Sequence, residues 1–242
     1  QAFYFVKKLH TVNNASKMSY VGEAAFAFTA INSIDLTNAT FIGSNAFSQS
    51  KLTSVVLGEG LEELGENPFY NCDIKSFGKV SKIDDNGHIR EEIEENYDLN
   101  ANIKIINGVL YQVVPTGLEL ISYPKAKSDK EFVIASETSR ISAYAFAYSN
   151  LETVTLSPVL KAIGDKAFYG CEKLGVVVFL SYDAPLLEEE YSTSYLTYTN
   201  LPTSGYLGSY EGLGISKYYM WNVTSNFTNF YFGATFKDYI GH

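Results

Sequence analysis

The sequence predicts a repeat solenoid: a β-rich stack of short parallel strands and short helical turns, with an inserted β-hairpin region and an aromatic-rich C-terminal cap. Three observations predict it. The pair Ala-Phe or Pro-Phe returns at Phe3, Phe26, Phe47, Phe69, Phe146 and Phe168, spaced 23, 21, 22, 77 and 22 residues apart. Apolar residues keep a fixed register around each of these Phe. The aromatic content of 15% comes from 19 Tyr and 16 Phe with a single Trp, a repeated use of two residue types.

Each unit justifies itself in chain order. Five residues before the last five Phe stand Val21, Ile42, Leu64, Ile141 and Ile163, followed by Gly22, Gly43, Gly65, Ser142 and Gly164. Beyond each Phe come Leu9, Ile31, Leu52, Ile74, Leu151 and Leu174, then Val12, Ile34, Val55, Phe77, Val154 and Val177, and often a fourth position, as in Leu36, Leu57, Leu156 and Phe179. That spacing reads as a short strand with alternate residues inward, a turn, a second extended piece ending at the Gly, and a brief helical turn carrying the Phe. One unit cannot bury its own apolar face; stacked neighbours can. The Gly suits a turn of unusual φ and ψ, and Ser44 or Asp165 can cap the Phe turn.

The 77-residue gap is an insertion. The nine-residue offset from Val12 to Val21, Val55 to Leu64 and Val154 to Ile163, counted back from Ile141, lands on Phe132. The expected division is therefore repeats over 1–78, an insertion over 79–130, repeats over 131–180 and a cap over 181–242. Within the insertion, residues 84–98 hold seven acids and one Arg. Residues 103–123 hold two apolar runs around Pro115, Thr116 and Gly117, which reads as a β-hairpin placed to extend or cover the edge of the strand ladder. Residues 181–242 carry ten Tyr, Trp221 and eight charged residues, as expected of a cap over an open core. The chain begins mid-repeat, and the expectation is a piece of a longer protein.

With 27 acids against 18 bases the formal charge is −9, which disfavours nucleic acid and anionic membranes as partners. No window approaches the apolar length of a membrane span, and the first ten residues lack the order of a signal peptide.

The phrases IGSNAFSQSKLTSVVL, LGENPFYNC, ISAYAFAYSNLETVTL and IGDKAFYGCEKLGVVVF resemble the leucine-rich repeats of the BspA type, also called Treponema pallidum type. NGVLY followed by LISYPKAK also resembles a hairpin insert found in such proteins. The resemblance implies a leucine-rich repeat solenoid, a right-handed superhelix, in a secreted or surface-attached bacterial protein that binds host or neighbouring-cell components. The sequence departs from that pattern in having Cys in two of six units and Ser157 after Leu156.

No catalytic chemistry is legible. Cys72 and Cys171, each three residues after a repeat Phe, read as separate free core thiols. The three His, His10, His88 and His242, stand in no nucleophile context, and no GxSxG, HExxH, P-loop or GxGxxG occurs. Asp84, Asp85, Asn86 and Gly87 fail as a calcium loop, since the first and twelfth positions would be Lys82 and Ile93. Leu201 to Gly205 resembles a sorting signal but lacks the apolar stretch and basic tail to follow it. Neither a cofactor nor a metal is expected.

Function is therefore expected on surface. Residues flanking the inward strand positions form a small-residued, nearly uncharged ladder: Thr11, Asn13, Ser33, Asp35, Ser54, Val56, Thr153, Thr155, Val176 and Val178. Such a sheet suits a flat or extended protein or glycan. Tyr218, Tyr219 and Trp221, with the other C-terminal aromatics, are the rival site. The expectation is a monomeric, non-enzymatic extracellular adhesion module. The alternatives are a targeting domain of a larger secreted enzyme and a structural spacer.

Overall fold

The computed structural model describes residues 1–83, 89–174, 176–178, 180, 185–187 and 220–221. The chain divides into two compact units, the first made of Gln1–Val114 and Leu120–Lys127, the second of Pro115–Glu119 and Ser128–His242.

In the first unit the Ile34 and Val55 registers become β2 (Ser33–Leu36) and β4 (Ser54–Leu57), parallel and paired Ser33 to Ser54 through Leu36 to Leu57. The extended pieces before the Gly positions become β1 (Tyr20–Val21), β3 (Phe41–Ile42) and β5 (Glu63–Leu64), a second parallel ladder. Ile34, Leu36, Val55, Leu57, Val21, Ile42 and Leu64 are all buried in one core. Alternation in every strand delivers this: the inward residue is apolar and its neighbours face out.

The Phe segments form a third ladder. They are hydrogen-bonded turns and not helix; among the described residues the one helical piece is a 3₁₀ turn at Ala15–Lys17. The N–H groups of Ala24, Phe26 and Phe28 donate to the carbonyls of Ser44, Ala46 and Ser48, and those of Asn45, Phe47 and Gln49 donate to Glu66, Pro68 and Tyr70. Every second N–H thus points to the next turn, which needs left-handed backbone two residues before and two after the Phe. Positive φ is found at Ala24 and Phe28, Asn45 and Gln49, Asn67 and Asn71, Tyr144 and Tyr148, and Lys166 and Gly170. For a residue other than Gly or Asn this conformation costs about 1 kcal/mol or more. Ser44 does not cap its own turn, because its Oγ accepts the Glu66 N–H of the next one at 3.1 Å. Asp165 likewise meets the Lys166 ammonium at 3.2 Å.

The glycines before the Phe turns have a reason different from turn conformation, since their φ is not positive. A Cβ on Gly43 would lie 2.7 Å from Glu23 N, one on Gly65 2.2 Å from Ser44 N, and one on Gly164 2.3 Å from Ala143 N. Gly is required because the preceding turn of the stack passes directly against it.

Inside, the Phe rings form a column. Phe26 and Phe47 stack at 5.4 Å and 10°, Phe47 and Phe69 at 5.7 Å and 9°, and Phe77 ends the run tilted by 52° against Phe69. Beyond it lie β6 (Lys79–Ile83) and β7 (Ile89–Glu94), antiparallel, then β8 (Tyr97–Asp98), β9 (Ile103–Ile106), β10 (Val109–Val114) and β11 (Gly117–Ser122). The acidic stretch expected as a loop lies partly on β7. The hairpin expectation resolves into three strands. β9 pairs with β10 across Asn107-Gly108, both with positive φ, and β11 follows beside β10. Ile103, Ile105, Leu110 and Ile121 join the core that holds the repeat residues, so these strands cover the end of the first stack.

The second unit repeats the plan. β12 (Glu131–Val133), β14 (Thr153–Thr155) and β16 (Val176–Val178) are parallel, with Phe132, Val154 and Val177 in one inward register. β13 (Thr138–Ile141) pairs with β15 (Ala162–Ile163), and that strand with β17 (Leu186–Leu187). Phe146 stacks on Phe168 at 4.9 Å and 14°. β18 (Met220–Trp221) pairs with β16, and Trp221 is in register with Val177. The rest of the expected cap, Tyr218 and Tyr219 included, lies outside the described residues.

Candidate functional site

Each unit carries an outward strand ladder. In the first, Ser33 and Asp35 are exposed and Ser54 and Val56 half-buried, alternating with buried Ile34, Leu36, Val55 and Leu57. Asp35 spends one carboxylate oxygen locally, accepting the N–H and the hydroxyl of Thr37. In the second, Thr153, Thr155, Val176 and Val178 are half-buried on either side of buried Val154 and Val177. Two columns result, Glu131-Thr153-Val176 and Val133-Thr155-Val178. Glu131 and Val133, the latter 62% exposed, extend the ladder by one turn. The nine-residue offset that placed Phe132 inward already contained them as its flanks.

The two thiols occupy one repeat position. Three residues after the Phe stand Thr29, Ser50 and Cys72 in the first unit and Ser149 and Cys171 in the second, all buried. Cys72 Sγ donates to Phe47 O and Cys171 Sγ to Phe146 O, each at 3.0 Å, with the Ser50 and Ser149 hydroxyls beside them. Burial pushes the Cys72 thiol up to about 12 and the Cys171 thiol up to about 11. Neither is a nucleophile at neutral pH, since the thiolate is the reactive form.

On the turn ladder of the second unit three tyrosines meet. Tyr169 lies edge-on to Tyr144 at 6.0 Å and to Tyr148 at 5.4 Å. Lys166 reaches over the Tyr144 ring at 5.7 Å while paired with Asp165, whose carboxylate holds the ammonium above its usual range.

The chain matches a family model, the BspA type leucine rich repeat region, in six copies over residues 1–89 and 122–237. The chain belongs to the BspA-type leucine-rich repeat family. Among solved structures, the pneumococcal vaccine antigen PcpA is similar with 22% identity and a TM-score of 0.49, over 67% of this chain and 43% of that one. A leucine rich cell surface protein from Faecalibacterium prausnitzii is 17% identical with a TM-score of 0.44, over 73% and 62%. A leucine-rich repeat protein from Eubacterium ventriosum is 24% identical with a TM-score of 0.34, over 66% and 57%. The chain thus spans between 43% and 62% of these proteins. No curated protein matches it.

For this BspA-type chain, the remaining candidates resolve simply. No helix among the described residues is long and apolar enough to cross a membrane. Nor does any group of three His, Cys, Asp or Glu among them come close enough to hold a metal ion. His10 is exposed, while Asp84 to His88 and His242 lie outside the described residues.

Proposed function

We propose that this chain is a non-enzymatic interaction module of a secreted or surface-attached bacterial protein. Its contact surfaces are the two strand ladders, and its partner is an extracellular protein or glycan of a host or neighbouring cell. The observation that carries the reading is the make-up of the ladders. Small Ser, Thr and Val side chains on a hydrogen-bonded backbone, with Asp35 and Glu131 as the charged members, present a surface a partner covers while displacing few strongly hydrated charges. Membership in the BspA-type family supports a surface interaction role over a catalytic one.

The test is binding of the whole chain to immobilised fibronectin, collagen and mucin. Saturable binding to one of them is expected, lost in Val133→Glu and Val178→Glu with the melting temperature unchanged. If no partner saturates, the chain is a spacer or a targeting piece of something larger, and the adhesion reading falls.

A further inference from the structure

We draw no further inference here: the strongest candidate, the exposed apolar patch of Phe3, Tyr4, Phe5 and Val6 on the first turn of the first unit, carries none because nothing in the structure shows what covers it.

Discussion

The Cys171 thiol donates to the carbonyl oxygen of Phe146 at 3.0 Å, tying two successive turns of the second stack together. The Cys72 thiol makes the same bond to Phe47. Both bonds need the protonated thiol, and burial defends it: Cys171 ionises near 9.0 when unfolded and only at about 11 when folded. A raised pKa of an acid means its stabilising share is complete below pH 9 and is lost as pH climbs toward 11. Denaturant unfolding should therefore show a loss of about 1 kcal/mol per thiol between pH 8 and pH 10. The double variant C72S/C171S, whose hydroxyls copy Ser50 and Ser149, should fold and lose that step. A pH response unchanged in the variant would show that the thiols do not cause it.

How much of this was legible in the sequence depends on whether a feature belongs to one turn or to two. Phe47, Val55 and Leu57 were legible because each repeat puts them in the same buried place. Gly65 was placed correctly for the wrong reason, since the atom it makes room for, Ser44 N, belongs to the neighbouring turn. The left-handed positions escaped notice because Ala24, Phe28, Gln49, Tyr144 and Lys166 break the Gly and Asn habit that announces them. Asn107-Gly108 is a hairpin signal as plain as Pro115 to Gly117, and the two turns together make three strands where one turn makes two. Tyr144, Tyr148 and Tyr169 meet because the turn ladder sets the Tyr148 N–H against Tyr169 O, a bond between two turns that no single repeat displays.

The Phe column makes a direct stability prediction. Phe47 is fully buried and stacked on both sides, by Phe26 and Phe69. Phe47→Ala should cost about 3–5 kcal/mol by chemical denaturation, the sum of lost transfer energy and a cavity the two flanking rings cannot close. Phe3, 44% exposed and stacked only on Phe26, should cost well under half of that. Equal losses would mean the column is not what holds the stack.

Left-handed backbone offers a stabilising change. Gln49 is exposed with φ 56, at the position where Asn71 stands one repeat later. Gln49→Asn should raise stability by about 0.5–1 kcal/mol, because Asn tolerates that conformation better and no packed side chain is lost. A melting curve that does not move would show that the turn relieves its strain elsewhere.

The sharpest comparison sets two glycines against each other. Gly22 and Gly65 hold the same repeat position, but a Cβ on Gly22 meets only the Tyr20 ring at 3.5 Å, an ordinary contact, whereas one on Gly65 meets Ser44 N at 2.2 Å. Backbone cannot rotate aside as a side chain can, so Gly65→Ala must separate two turns and stretch the Gly65 N–H bond to Ile42 O, now 2.7 Å. A loss of about 1–3 kcal/mol is expected for it. Gly22→Ala should be neutral or stabilising by up to about 1 kcal/mol, through the smaller freedom of its unfolded chain. The pair isolates turn-to-turn approach from glycine flexibility, since flexibility alone would make the two substitutions behave alike, and melting curves of the two variants side by side decide which cause operates.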